Sequence, residues 1–152
     1  MSNEHLHGEP LIILLVEDNI AHAELIMRSL AAHGIANRVI HLRDGATALD
    51  YLFRRGQYAD PASSPRPHVV LLDLRLPRID GLEVLQELRE AEEIGTMPVV
   101  ILTTSELERD IATAYERHAN SYVVKPLDFA QFTQLMHDLG FYWLAWDRSP
   151  WS

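Results

Sequence analysis

Three acidic residues directly follow runs of apolar residues, where a carboxylate is costly to bury unless something pairs with it. Glu17 and Asp18 follow the run LIILLV at 11–16, and Asp73 follows the run VVLL at 69–72. If the two runs are neighbouring strands of one parallel sheet, their carboxyl ends meet at the same edge and the three carboxylates converge. Carboxylates in one crevice repel one another, so the pattern predicts a bound cation.

The ligands of this predicted metal site are all oxygen atoms. The chain has no cysteine, and its eight histidines show no metal-binding spacing. Oxygen ligands favour Mg²⁺, Mn²⁺ or Ca²⁺. A half-open site with few protein ligands favours Mg²⁺ among these, because Mg²⁺ keeps several waters and readily shares a phosphate oxygen.

Two further polar residues end apolar runs of the same kind. Thr103 closes the run VVILT at 99–103, and Lys125 follows the run SYVV at 121–124. An ammonium group is a point charge suited to a phosphate, and threonine offers a hydroxyl. A metal, a carboxylate, an ammonium and a hydroxyl together predict phosphoryl transfer, with Asp73 as a nucleophile that forms an aspartyl-phosphate.

Each of these residues also has a plain structural interpretation. Glu17 and Asp18 suit the cap and acidic first turn of a helix. Lys125 suits the solvated end of a strand, and Thr103 suits a strand interior because it is β-branched. The ordered set favours the functional interpretation, because a motif gains force from the context in which it stands.

The elements that must position these residues alternate between strands and helices. Five short runs rich in Val, Ile and Leu are typical of strands buried on both faces of a parallel sheet, and they lie at 11–16, 38–42, 68–72, 99–103 and 121–124. Stretches with helical spacing follow them at 19–33, 45–55, 80–91, 106–119 and 128–146. The alternation predicts a doubly wound α/β domain with right-handed crossovers. The breaker-rich segment 56–67 is predicted to be a long loop.

Composition limits the class of protein and its surroundings. A chain of 152 residues fits one domain, and a net charge of −9 argues against nucleic acid or an anionic membrane as a partner. The apolar run at 11–16 is too short to span a bilayer, and the polar residues before it lack the basic start of a signal peptide. Together with the absence of cysteine, these features predict a cytoplasmic protein.

Four motifs in this order resemble the receiver domain of two-component response regulators, the CheY-like proteins: LLVEDN, LLDLRLPRIDGLEVL, PVVILTTS and SYVVKP. The resemblance implies a flavodoxin-like, doubly wound (βα)5 fold with a five-stranded parallel sheet in the order 2-1-3-4-5. It divides the chain into a flexible N-terminus at 1–9, a receiver domain at 10–140 and an aromatic C-terminal extension at 141–152.

The resemblance also implies how the metal would be bound. Asp73 would be the phospho-acceptor. Asp18 and Asp73 would be direct Mg²⁺ ligands, and Glu17 would act through a water molecule. The backbone carbonyl of Arg75 would complete the protein's share of the coordination.

Three other residues acquire roles from the same resemblance. Thr103 would bind the phosphoryl group after transfer, and Lys125 would pair with it. Tyr122 would be an aromatic switch whose ring follows Thr103 inward. Burial in the core, with the hydroxyl in water, explains Tyr122 equally well.

The implied function is that of a single-domain response regulator, a signalling switch that takes a phosphoryl group from a sensor histidine kinase. The loop at 56–67, the motif HANSYVVKP and the aromatic tail further resemble the stand-alone regulators of bacterial phytochrome kinases. That narrower resemblance implies a bacteriophytochrome as the kinase, and output through protein contacts or a phosphorelay.

An alternative function is a Mg²⁺-dependent phosphatase with an aspartyl-phosphate intermediate. Phosphatases of the haloacid-dehalogenase type carry a second Asp, the general acid, two residues after the nucleophile. Arg75 stands at that position here and cannot donate a proton at a useful pH. This difference favours the switch over the enzyme.

The aromatic end of the chain predicts a homodimer. The last predicted helix needs only one apolar stripe, which Phe129, Phe132, Met136, Leu139 and Trp143 supply. Six large apolar residues are left over: Leu135, Phe141, Tyr142, Leu144, Trp146 and Trp151. Such a surface marks an interaction site. It is predicted on the face formed by the fourth predicted helix (106–119), the fifth strand (121–124) and the fifth predicted helix (128–146), together with the C-terminal tail. The alternative is a tail folded back on its own domain.

Overall fold

The computed structural model describes residues 10–32, 37–104, 121–125 and 129–140. The five strands are β1 (Leu11–Val16), β2 (Asn37–Leu42), β3 (Val69–Asp73), β4 (Val99–Thr103) and β5 (Ser121–Val124). The described helices are α1 (Ile20–Ala32), α2 (Gly45–Leu52), α3 (Gly81–Glu90) and α4 (Phe129–Asp138), with a 3-10 turn at Gly56–Tyr58. The predicted helix at 106–119, the N-terminal segment 1–9 and the C-terminal extension 141–152 lie outside the described residues.

The strands form one parallel sheet in the order β2-β1-β3-β4-β5, which confirms the predicted fold class. The register places the carboxyl ends of the strands at one edge. Val16 of β1 is paired with Leu72 of β3, so Glu17 is level with Asp73. Thr103 of β4 is paired with Val124 of β5, so Lys125 lies one residue beyond the end of this pairing.

Burial on both faces explains why the strand sequences lack alternation. Every residue of β3 is buried, and β1 is buried except at Ile12. Side chains on one face pack with α1 and α4, and those on the other face pack with α2 and α3. The prediction was wrong for β2, which is only partly buried because it is the edge strand and has a neighbour on one side only.

The sequence pattern placed the end of α2 too late. The helix was predicted to continue to residue 55 but ends at Leu52. Arg54 has a φ of 55°, its N–H bonds the Tyr51 carbonyl, and the Arg55 N–H bonds the Asp50 carbonyl at 2.8 Å. These two hydrogen bonds are those of a Schellman motif, a helix end at which glycine is the usual residue. No glycine marks the end here, so the local sequence favours a longer helix.

The predicted long loop before β3 is fixed by tyrosines. The Tyr51 hydroxyl of α2 donates to the Pro65 carbonyl at 2.6 Å. The ring of Tyr51 also meets the ring of Tyr58 edge-on, with centroids 5.1 Å apart. The loop is therefore held against α2.

No helix among the described residues combines the length and apolar character needed to cross a bilayer.

Candidate metal and phosphoryl site

The three acids predicted to converge do so at the carboxyl edge of the sheet. Glu17, Asp18 and Asp73 each offer a carboxylate oxygen within 4.8 Å of the others. Glu17 is fully buried, Asp73 is 6% exposed and Asp18 is half-buried. Buried like charges at this distance require compensation. The all-oxygen donor set, open to solvent on the side of Asp18, fits a hard divalent cation.

Lys125 supplies part of that compensation. Its ammonium donates to Glu17 Oε1 at 2.6 Å and to Asp73 Oδ2 at 3.2 Å, and its side chain is only 9% exposed. A buried ion pair with this geometry is costly to break, because removal of one partner leaves an uncompensated charge. Lys125 is therefore part of the acidic site and is not the solvated end of a strand.

The ionised form of the Asp73 carboxylate is disfavoured by its surroundings. The pKa of Asp73 is raised to about 6, mainly by burial and secondly by a side-chain hydrogen bond with Glu17. Lys125 and the Arg75 N–H, which donates to Asp73 Oδ1 at 3.2 Å, act in the opposite direction but do not cancel the effect of burial on this pKa. The site thus favours taking up either a proton or a cation.

Glycine at position 81 allows α3 to lie against the end of β3. A Cβ atom on Gly81 would lie 2.2 Å from the Asp73 carbonyl oxygen, which no side chain tolerates. The Gly81 N–H donates to the Leu74 carbonyl at 2.9 Å, and Asp80 caps the helix by accepting from the Glu83 N–H at 3.0 Å. The motif IDG at 79–81 therefore holds α3 against the backbone of Asp73.

The structure adds a histidine to which the sequence pattern assigned no role. His22 lies in the first turn of α1, and its Nδ1 is 3.3 Å from Lys125 Nζ. The ammonium of Lys125 thereby has three neighbours, one for each of its protons. The signal in the sequence is the position of His22 four residues after Asp18, which is one helical turn beyond the site.

Two arginines from neighbouring loops border the acidic site. Arg43 donates to the Asp18 carbonyl at 3.3 Å, and Arg78 pairs with Asp44 at 3.4 Å. A cavity of about 340 Å³ lies between these residues. Asp44 also caps α2 by accepting from the Thr47 N–H at 2.7 Å. The motif RDG at 43–45 is locally typical of an ordinary turn or helix cap, because nothing in it shows that two loops meet there.

Three residues with predicted roles remain: Arg75, Thr103 and Tyr122. Of these, Arg75 has a described contact with an acid of the cluster. The Arg75 side chain is exposed, and its backbone N–H contacts Asp73 as above. Thr103 ends β4 at the correct edge, but its side chain lies outside the described residues. Tyr122 is half-buried and packs on the core of the α2 and α3 face.

The fold and the site define a class of protein. Residues 13–137, which make up most of the chain, match the family described as the response regulator receiver domain. The protein therefore belongs to the receiver-domain family of response regulators.

Similarity to individual response regulators places the protein more narrowly within this family. The "Probable methanogenesis regulatory protein FilR2" of Methanothrix harundinacea is 47% identical over 142 residues, covering 93% of this chain and 89% of that protein. Response regulator Rcp1 of Synechocystis is 39% identical over 144 residues, 95% of each protein. The structure of bacteriophytochrome response regulator RtBRR has a TM-score of 0.80 at 44% identity, covering 93% of this chain and 85% of that one. This receiver is thus related to phytochrome response regulators.

Receiver domains similar to this one bind metal ions. One structure of Rcp1 holds Mn²⁺. It is 39% identical to this chain and has a TM-score of 0.68, and the match covers 89% of this chain and 95% of the Rcp1 chain. In this chain the acidic cluster of Glu17, Asp18 and Asp73 is a group of donors that could hold such an ion.

Proposed function

We propose that this protein is a single-domain response regulator that accepts a phosphoryl group from a sensor histidine kinase on Asp73. The observation that carries the proposal is the contact of Lys125 with Asp73 inside a cluster of three carboxylates. A nucleophilic carboxylate, a site for a cation and a buried ammonium are the groups that phosphoryl transfer to an aspartate requires.

The residues of the cluster suit Mg²⁺. Asp18 and Asp73 would bind the ion directly, Glu17 would act through a water, and the Arg75 carbonyl would complete the protein ligands. When bound, Mg²⁺ neutralises the charge that develops on the transferring phosphoryl oxygens. The protein's own groups orient the nucleophile, since the Arg75 N–H and the Lys125 ammonium each hold one oxygen of Asp73.

The same residues suggest how phosphorylation is sensed. Lys125 already contacts Asp73, so its ammonium is positioned to pair with a phosphoryl oxygen once the carboxylate is modified. Thr103 would bind the same group through its hydroxyl. Tyr122 of β5, which packs on the α2 and α3 face, would move its ring inward with Thr103 and carry the change to the surface.

Similarity to RtBRR and Rcp1 supports a bacteriophytochrome as the kinase partner, with output through protein contacts or a phosphorelay. The test is phosphoryl transfer from several autophosphorylated histidine kinases of the same organism, with radiolabel followed over time. A bacteriophytochrome is expected to transfer fastest. Faster transfer from an unrelated kinase would exclude the phytochrome assignment, and transfer from none would contradict the proposed function.

The phosphatase alternative is tested by turnover. A phosphatase would release many phosphates per chain from small phosphate esters, whereas a switch takes up one phosphoryl group and hydrolyses it slowly. The exposed, cationic side chain of Arg75 disfavours the phosphatase, because no general acid stands at that position. Sustained release of p-nitrophenol from p-nitrophenyl phosphate, lost in Asp73→Asn, would favour the enzyme.

We also propose a homodimer formed by the predicted helix at 106–119, β5, α4 and the C-terminal tail. Phe132 and Met136 of α4 are buried in the domain, and Leu135, which the sequence left over, is half-buried against the same core. The aromatic residues beyond Gly140, which lie outside the described residues, would cover the partner. Full-length protein is expected to have a dimer's mass by light scattering, and protein truncated after Gly140 a monomer's. A full-length monomer at high micromolar concentration, with and without a phosphoryl mimic, would refute the dimer.

A further inference from the structure

A second cavity lies at the edge of the sheet opposite the acidic cluster. Its volume is about 450 Å³, within the range of roughly 300–1,000 Å³ that is usual for ligand sites. The end of α2, the loop before β3 and the segment after α3 form its walls, and these connections all enter the amino ends of strands. Leu52, Phe53 and Ile94 give it an apolar floor.

Two arginines face this cavity without a partner. Arg54 and Arg66 line it, both are half-buried, and neither guanidinium makes a hydrogen bond or ion pair within the described ranges. Other arginines of the domain are engaged: Arg55 pairs with Asp50 at 3.3 Å, and Arg89 donates to the Met97 carbonyl at 2.8 Å. Partly desolvated cations that form no ion pair favour the binding of an anion.

The backbone of Arg54 gives a second, independent reason to look for a ligand. With a φ of 55°, Arg54 holds the left-handed position of the Schellman motif, where glycine is the most stable residue. A side chain at that position costs stability. Conformations that cost stability are concentrated at functional sites, where the side chain has a use that offsets the strain.

We propose that this cavity, termed the arginine pocket, binds a small organic anion that has an apolar body. The carboxylate, sulfonate or phosphate group of the ligand would lie between Arg54 and Arg66, and its apolar part would lie on Leu52 and Phe53. Glu92 and Glu93, which also line the cavity and are exposed, disfavour a polyanion such as nucleic acid. The proposed pocket is independent of phosphorylation at Asp73.

The probes for the test are 2-naphthoate and its neutral analogue, 2-naphthamide. Neither carries a phosphoryl group, so neither can modify Asp73. Addition of 2-naphthoate is expected to shift the Nε–H NMR signals of Arg54 and Arg66 in arginine-labelled full-length protein. Binding of the amide is expected to be weaker by about tenfold or more, because it lacks the charge-assisted hydrogen bonds.

Three variants separate binding from folding. Arg54→Gly should raise the melting temperature, because it relieves the positive φ, and yet weaken 2-naphthoate binding by about tenfold. Arg66→Gln should weaken binding similarly. Arg55→Gln is the matched control, because Arg55 is the neighbouring exposed arginine and does not line the pocket. It should bind 2-naphthoate as the wild type does.

Several results would overturn the arginine pocket as a small-anion site. One is an amide that binds as well as 2-naphthoate, and another is unchanged binding in Arg54→Gly and Arg66→Gln. The absence of any shift at these two arginines at millimolar 2-naphthoate would do the same. An acidic peptide that binds more tightly than 2-naphthoate, with the same dependence on Arg54 and Arg66, would indicate that the natural ligand of the pocket is a protein and not a small molecule.

Discussion

Asp73→Asn is expected to abolish phosphorylation by acetyl phosphate and Mg²⁺. The amide of asparagine has nearly the same shape as the carboxylate but is not a nucleophile, so no acyl-phosphate can form. Intact-mass measurement should show one added phosphoryl group on the wild type and none on the variant. Asp60→Asn is the matched control, because Asp60 lies in the exposed loop before β3. Undiminished labelling of Asp73→Asn would show that the acceptor lies elsewhere.

The same substitution is expected to stabilise the metal-free protein at neutral pH. The pKa of Asp73 is about 6 in the folded state, against the ordinary aspartate value of 3.8. Because the folded-state pKa is the higher one, the stability linked to this group is fully present below pH 4. It is lost as the pH rises through 6, and the loss amounts to about 3 kcal/mol. Asp73→Asn carries no such charge and avoids this loss.

The measurement is urea unfolding of both proteins in a chelator at pH 5 and at pH 8. The difference in unfolding free energy between the variant and the wild type isolates the contribution of Asp73 from the other groups that titrate in this range. The variant should gain relative to the wild type as the pH rises. A difference that stays constant between the two pH values would contradict the raised pKa of Asp73.

Asp18→Asn is expected to weaken Mg²⁺ binding by about a hundredfold, because even partners outside the ligand shell alter metal affinity by 10- to 100-fold. Removal of one of three clustered carboxylates also relieves repulsion, so the apo variant should melt higher than the apo wild type. This gain should be smaller than that of Asp73→Asn, because Asp18 is half-exposed and solvent screens its charge.

Calorimetric titration with Mg²⁺ and thermal melts with and without the ion test both parts of this prediction. Mg²⁺ should raise the melting temperature of the wild type and hardly change that of the variant. Glu83→Gln serves as the control, because Glu83 is an exposed acid on α3 outside the cluster. An apo Asp18→Asn protein that melts lower than the wild type would argue against repulsion among the three acids.

The parts of the structure that the sequence predicted correctly depend on regular periodicity. Strands buried on both faces must be apolar throughout, so their bounds could be read almost to the residue. The positions of Glu17, Asp73 and Lys125 then follow, because the ends of parallel strands share one edge. Convergence of the acids and the lysine could therefore be predicted from where the apolar runs stop.

The parts that the sequence missed depend on contacts between distant segments. His22 reaches Lys125 across 103 positions of the chain, and its spacing from Asp18 places it near the site without indicating a contact with Lys125. The pairing of Arg78 with Asp44 likewise joins two loops that each look like an ordinary turn. Arg54 ends α2 in a conformation that sequence patterns associate with glycine, so neither the helix end nor the arginine pocket could be foreseen.

The ammonium of Lys125 has a consequence for the valence of the ion that the cluster accepts. When Asp73 is ionised, the three acids and the lysine carry a formal charge of −2, and Lys125 is the one lysine in the sequence. A single divalent ion brings the group to electroneutrality. A monovalent ion leaves a buried residual charge, which is costly in a medium of low polarisability. The tethered ammonium would thus act as a fixed counter-ion and favour doubly charged ions over Na⁺ and K⁺, independently of coordination geometry.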